Sequence, residues 1–316
     1  MRFRTTISNV PTFFRIIQAI EKLQRKFVMK FTETELHIIC NHEANEGGIQ
    51  VWSQIKVDSL FTAYRIQSNA NNEISLALSS EALLLALKSA TASAEAGAAG
   101  DVDEVVLKLA KKNGHAVLSF EIAGATRMGK SVRVAHDVRI DVMKPTDVAL
   151  LREPMCPEPD IHILLPPLQK LRTIVDRMRP MSDILAVRAN NSGRLTLSIN
   201  TDSVKIDTEW RNCTNPKMSS FALYFVVFHG ELTSLSAREG SQEEPDEPPD
   251  PEKMFTVLVS IRSFLKFLNS HVVSTTTIAC VCQHHCMILY VYIGDVADAG
   301  GVLTFYIPAI IDDGDH

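Results

Sequence analysis

NNEISLALSSEALLLALKSA, Asn71–Ala90, joins an alternating apolar segment directly to a helical one. Ile74, Leu76 and Leu78 fall on one face of a strand, because side chains alternate there with a period of two. Ser79 or Ser80 is placed to accept a hydrogen bond from the free amides of a first helical turn. Leu83, Leu84, Leu87 and Ala90 then follow at helical spacing. The same order of strand, cap and helix returns 181 residues later in FTVLVSIRSFLKFLNSH. Phe255, Val257 and Val259 replace Ile74, Leu76 and Leu78; Ser260 replaces Ser79; Phe264, Leu265 and Leu268 replace Leu83, Leu84 and Leu87. Two copies so far apart predict a duplicated domain rather than a solenoid of short repeats.

Upstream of the first copy, Phe3, Thr5 and Ile7 alternate as a strand, and Pro11 opens a helix running to about Lys26. Proline suits a first turn, where its missing N–H has no partner to lose. Phe13, Ile16, Ile17, Ile20 and Leu23 form the apolar stripe of that helix. Arg15, Lys22 and Lys26 are expected together on another face, since their spacings approach whole turns. Strands are expected at Phe27–Phe31, Leu36–Cys40, Ile49–Ile55 and Ser59–Tyr64, with Gly47-Gly48 as a turn. Downstream, residues 92–101 read as a mobile Ala/Gly loop. Val105–Leu109 and Ala116–Ile122 read as a hairpin about Asn113-Gly114, and Val132–Ile140 as another strand. Four prolines mark residues 143–160 as an extended connector.

The second half repeats the programme. Ile161–Leu164 is a strand, and Pro166-Pro167 open a helix reaching about Met178. A shift of 155 residues brings Arg15 onto Lys170, Ile20 onto Val175 and Lys22 onto Arg177. Strands are expected at 185–189, 195–200, 204–210 and 221–228. Residues 231–253 are acidic and Pro-rich with little to bury, and predict a disordered insertion. The repeated strand and helix follow, then strands at 277–282, 287–293 and 302–307. The strand-rich order, without regular βαβ alternation, predicts an antiparallel α+β fold present twice. The expected division is 1–142, connector 143–160, and 161–316.

A chain of 316 residues with 46% hydrophobic and 22% charged residues suits two globular domains and argues against global disorder. Its net charge of −5 argues against a surface coated in basic charge, but permits a local basic patch. No run of eighteen apolar residues and no signal peptide is evident, so no membrane association is expected. Cysteines at 40, 156, 213, 280, 282 and 286 form no disulfide framework, which predicts a reducing compartment.

Two motifs suggest chemistry. Gly124-Ala-Thr-Arg-Met-Gly129-Lys130-Ser131 satisfies the phosphate-loop pattern, which works only where the loop opens a helix. Here the alternating segment Ser131–Ile140 follows, so the motif reads as a hairpin loop rather than the site of a nucleotide-binding enzyme. Tight ATP binding abolished by Lys130→Ala would reverse that reading. Cys280, Cys282, His284, His285 and Cys286 are ligand types for zinc. Structural zinc usually takes four ligands from two knuckles, and no second pair accompanies this run. Packed cysteines and a histidine turn are the expectation, and no cofactor is expected. There is no nucleophile elbow or recognisable triad, so no catalytic residue is assigned.

The remaining signal is the placement of basic residues. Arg15, Lys22, Arg25 and Lys26 accompany the first helix, Lys170, Arg172, Arg177 and Arg179 its repeat. Lys88, Arg262 and Lys266 lie on the second helices. Against these eleven stand only Glu21, Glu81, Asp176 and the adjoining Asp183, in a chain that is acidic overall. Charged residues often do no more than solvate exposed helix faces; this imbalance instead suits a positive lining that meets a phosphate backbone without reading bases.

These features together resemble the sliding-clamp superfamily typified by PCNA, and within it the Hus subunits of the heterotrimeric DNA-damage checkpoint clamp. The matching segments are Met1–Arg4, Gly47–Trp52, Asn71–Ile74, His136–Val138, Glu153–Met178 and Phe305–Ala309. The resemblance covers nearly the whole chain. It implies two clamp domains with antiparallel sheets outside and helices inside, in a nuclear ring of three related subunits around double-stranded DNA. It implies a clamp loader, checkpoint and repair proteins as further partners, with no catalysis. The eleven basic residues would face DNA, Arg25, Arg172 and Arg179 lying off the main stripe. The subunit-joining edges would be Ala116-Val117-Leu118-Ser119-Phe120-Glu121-Ile122 and Val204-Lys205-Ile206-Asp207-Thr208-Glu209-Trp210. A homotrimeric replicative processivity clamp is the nearest competing reading. The Ala/Gly loop and the acidic insertion depart from the compact family pattern.

Overall fold

The computed structural model describes residues 1–41, 48–95, 102–125, 131–216, 250–274, 276–294 and 299–311. Part of the expected phosphate-loop hairpin, the expected strand 221–228, most of the acidic insertion, Gly47 and the acidic C-terminus lie outside the described residues. So do 96–101 of the expected Ala/Gly loop.

The first half runs β1 (Arg2–Ile7), α1 (Val10–Glu21), β2 (Lys26–Phe31), β3 (Glu35–Cys40), β4 (Gln50–Lys56), α2 (Val57–Leu60), β5 (Phe61–Gln67), β6 (Ile74–Ser79), α3 (Ser80–Glu95), β7 (Val102–Lys112), β8 (His115–Ala125) and β9 (Ser131–Val142). The connector holds the short α4 (Pro145–Val148). The second half runs β10 (Ile161–Leu164), α5 (Leu168–Met178), β11 (Ile184–Ala189), β12 (Leu195–Asn200), β13 (Lys205–Trp210), β14 (Phe255–Ser260), α6 (Ile261–Leu268), β15 (Thr277–Cys282), β16 (Cys286–Ile293) and β17 (Gly301–Pro308). Every described strand pairing is antiparallel.

The repeated stretch forms as its spacing requires. In the first copy Ser79 Oγ accepts from the Ala82 amide at 3.3 Å; in the second Ser260 Oγ accepts from the Ser263 amide at 3.5 Å. Ile74, Leu76 and Leu78 are buried in β6, as are Phe255, Val257 and Val259 in β14. α1 is capped by Asn9, whose Oδ1 accepts from the Thr12 amide at 3.2 Å, with Pro11 in the first turn. The β7–β8 turn is the expected one: Asn113 and Gly114 have φ of 50° and 80°, the left-handed pair that suits a tight hairpin.

Among the described residues, thirteen strands form one continuous sheet, in the order β10-β15-β16-β17-β4-β3-β2-β6-β9-β8-β7-β1-β5, and β13-β12-β11-β14 form a second. The halves are joined by strand pairing: β17 lies against β4, from Gly301 opposite Ile55 to Tyr306 opposite Gln50. Gly301 is needed for this close approach. A Cβ there would sit 2.7 Å from the Gln54 carbonyl oxygen and 2.8 Å from the Ile55 Cα. Gly301→Ala is expected to cost about 1–3 kcal/mol, because backbone must shift to accept the methyl; urea unfolding measures it.

The helices make the other layer. α1 packs on α3 and α5 on α6, while the 3-10 turn Asn269–Val272 after α6 touches both α1 and α5. The layer therefore runs through both halves, and its buried faces share one apolar core with the sheets.

Four local expectations change. The first helix ends at Glu21 with Lys22 as its cap, not at Lys26. Phe27, Met29 and Phe31 are buried by strand alternation, and the ladder to β6 begins with Lys26 opposite Ser79. A tight turn at Leu23 and Gln24 therefore has to come first. Ser59–Tyr64 is not one strand, because the helical turn α2 occupies Val57–Leu60 before β5. Residues 92–95, expected in a loop, extend α3, as their alanines and glutamate favour. At the other end of the acidic insertion, Asp250–Lys253 is held in place: the Ser192 amide donates to Pro251 O at 3.0 Å.

Candidate nucleic-acid interface

Burial of the apolar stripes decides where the basic side chains go. On α1, Phe13, Ile16, Ile17 and Ile20 face the sheet, leaving Arg15 exposed on the opposite side and Lys22 exposed at the cap. On α5, Leu168, Leu171, Val175 and Met178 are buried, and Lys170 and Arg177 are exposed. Lys88 is exposed on α3 and Arg262 on α6, while Lys266 is half-buried in the last turn of α6. Arg172 is half-buried with its Nε 3.8 Å from Asp176 Oδ2, and Arg179 is the exposed cap of α5. The helix layer thus gathers nine of the eleven expected residues; Arg25 and Lys26 are displaced into the turn after α1 and the start of β2.

The acidic neighbours do not cancel this charge. Lys22 Nζ lies 2.9 Å from Glu21 Oε2, and Arg262 Nε lies 3.9 Å from Asp183 Oδ1, but the second pair is largely exposed on both sides. Exposed pairs contribute little and are screened by salt, so Arg262 is free to exchange its carboxylate for a phosphate. Leu85 is the exception on this face, 59% exposed between Glu81 and Lys88.

One of the two expected edge strands is placed differently from expectation. Ala116–Ile122 lies inside β8, between β7 and β9, and both flanks of its backbone are occupied. Among the described residues, the open edge of this part of the sheet is one strand further on. β9 pairs with β8 over Ser131–Arg139 and with β6 only over Ile140–Val142. Val132 and Val134 on it are 41% and 37% exposed. A signal for this edge does exist in the sequence, in valines alternating beside a loop. In the second half β13 pairs only with β12 among the described residues, so Lys205–Trp210 does form an edge, with Val204 just before it.

Of the two chemical motifs, the cysteine run is described in full and the phosphate-loop motif only at its flanks. Gly124 and Ala125 end β8 opposite Val132 and Ser131 of β9, so the described flanks of the phosphate-loop motif are strands of one hairpin. Residues 126–130 lie outside the described part. Cys280 and Cys282 are buried in β15, and Cys282 pairs with Cys286 across a turn in which His284 has φ 62°. Burial pushes the Cys280 thiol up, away from the thiolate a metal needs. Among the described residues no group of three or more His, Cys, Asp or Glu could hold a metal ion.

Spacing gave no sign of how the connector is held. Tyr306 donates to Glu153 Oε1 at 2.6 Å, and Asp160 Oδ2 accepts from the Gln283 amide at 2.7 Å. These hydrogen bonds press residues 153–160 onto β15–β17.

Comparison with known proteins agrees with this geometry. The family model described as Hus1-like protein matches residues 1–311. The checkpoint protein hus1 of Schizosaccharomyces pombe is 31% identical, over 99% of this chain and 100% of that protein. Checkpoint protein HUS1 of Homo sapiens is 29% identical, over 98% and 100%. The crystal structure of proliferating cellular nuclear antigen from Entamoeba histolytica superposes with a TM-score of 0.65 at 12% identity, over 98% of this chain and 99% of that one. At that identity it speaks for the fold alone: paired helices on one side of antiparallel sheets, twice over. With the family match running from the first strand past the last, the chain belongs to the Hus1-like protein family.

Proposed function

We propose that this chain is one subunit of a heterotrimeric, ring-shaped checkpoint clamp that encircles duplex DNA in the nucleus. In this reading the ring recruits checkpoint and repair factors at damaged or stalled DNA, is placed there by a clamp loader, and catalyses no reaction itself. The observation that carries the reading is the single helix layer, spanning both halves, whose exposed side is predominantly basic. Such a surface holds the phosphate backbone without regard to sequence, which suits a ring that slides.

The in-chain joint supplies a template for assembly. In the repeat, β4 corresponds to β13 and β17 to β9, and β4 pairs with β17. The remaining pair is β13 and the Ser131–Arg139 part of β9, each with one flank unpaired among the described residues. Pairing β13 of one subunit with the β9-type strand of the next would close a ring and remove both edges. The proposed joint therefore uses β9 where sequence pointed to β8.

Sizing the purified chain separates this reading from a homotrimeric replication clamp. A chain that remains monomeric alone and forms a ring only with two other subunits is expected. A stable homotrimer would favour the replication clamp.

A further inference from the structure

We propose that the groove along the free edge of β5 binds an extended acidic peptide of a partner protein, which adds to the sheet as a further strand. β5 is the terminal strand of the thirteen-stranded sheet and pairs only with β1 among the described residues. Beside it lies an open groove of about 790 Å³, lined by the three arginines Arg2, Arg4 and Arg65 against one carboxylate, Glu33, with Tyr64 and Asn72 beside them.

The register makes the charge there unusual. Arg4 stands opposite Arg65 on one side and opposite Lys108 on the other. Arg2, opposite Gln67, lies on the same outward face, because residues two apart in a strand share a face. Like charges directly opposite in a ladder are destabilising, so three cations in a row call for an anion. Of the neighbouring carboxylates, Glu121 holds Lys108 at 2.6 Å and lies near enough to Arg4 to feel its charge, while Glu33 accepts from Asn72 Nδ2 at 2.7 Å; neither forms a salt bridge with Arg2, Arg4 or Arg65. No salt bridge of Arg2, Arg4 or Arg65 is present among the described residues.

A strand added to β5 would repeat its side chains every second residue. Carboxylates at alternate positions of that strand would stand over Arg65 and reach Arg4 and Arg2. Intervening side chains would fall on the Tyr64 and Ile66 side, both half-buried. Main-chain hydrogen bonds would supply affinity and the arginines selectivity for acidic peptides. Ala63, with φ 49°, marks where this edge stops being regular, leaving Tyr64–Gln67 as the pairing segment.

The test uses the full chain and a short fluorescent peptide alternating aspartate with valine. Wild type is expected to bind it, and Arg4→Glu with Arg65→Glu to weaken binding by at least about tenfold, as removing two charge-assisted hydrogen bonds implies. The same peptide N-methylated at alternate residues should weaken comparably. Both arginines are exposed, so the melting temperature of the variant should not fall, and a Gln pair at these positions provides a second variant without charge reversal. No binding by wild type, equal binding of the lysine-for-aspartate peptide, or equal binding by the variants would overturn the proposal. Equal binding of the N-methylated peptide would reduce the site to charge attraction and overturn strand addition. Duplex DNA affinity lost in the same variants without any peptide binding would assign the arginines to DNA instead. Binding seen only after deletion of residues 231–249 would make the chain's own acidic segment the occupant.

Discussion

In a ring assembled with its two partner subunits, Lys22→Glu together with Arg177→Glu is expected to shorten residence on a linear duplex by about tenfold. The two residues are equivalents in the repeat, one at the end of α1 and one in the last turn of α5, and both are exposed. Their neighbours Leu23 and Met178 are buried, so the charge can be reversed without disturbing the core. Folding stability should stay within about 0.5 kcal/mol of wild type, the usual range for surface substitutions. If both side chains meet phosphates, the logarithmic salt slope should fall by roughly 1.8, about 0.9 for each phosphate no longer neutralised. Reversing Arg25 and Lys26, which the fold moves off the helix faces, should change residence far less. Wild-type residence and salt dependence in the Lys22/Arg177 variant would remove the basic lining from the mechanism.

The contrast between those pairs shows what was legible in the sequence. Helix faces follow from spacing, so Arg15, Lys22, Lys170 and Arg177 could be placed by counting turns from the apolar stripe. Helix ends do not follow so directly. Nothing in the composition of Leu23–Lys26 stops a helix; the stop comes from β2, whose Lys26 must pair with Ser79 of β6, far along the chain. The same limit moved the edge strand. Alternation identifies β7, β8 and β9 as strands, but which of them lies outermost depends on long-range pairing. The duplicated strand and helix was the most informative stretch, because capping, alternation and helical spacing agree within it, twice. The connector hydrogen bonds were silent in sequence, since the Glu153–Tyr306 pair joins segments far apart in the chain and no local pattern encodes it.

The largest effect on assembly is expected from Val132→Asp with Val134→Asp in β9. The in-chain joint shows what such an edge buries when it is paired. Val51 and Ile55 of β4 are fully buried, with Leu303 and Phe305 of β17 beside them. On β13, Ile206 and Trp210 pack only partly against the core, as expected of equivalents of Val51 and Ile55 that lack their partner strand. Val132 and Val134 are the apolar residues a neighbour's β13 would cover. Covering two valines is worth roughly 3 kcal/mol or more, and placing two carboxylates there costs further desolvation. The combined effect should weaken the joint by at least about a hundredfold. Because both valines are already well exposed in the single chain, its own unfolding midpoint should barely move. The expected result is therefore a folded monomer that does not enter the ring, seen by sizing the co-expressed subunits. Paired substitutions in β8 make the informative contrast. Leu118→Asp with Phe120→Asp should unfold the chain, since both are fully buried between the sheet and the helix layer. If the β9 variant assembled normally, the open edge would have to be closed by something other than a neighbouring clamp subunit.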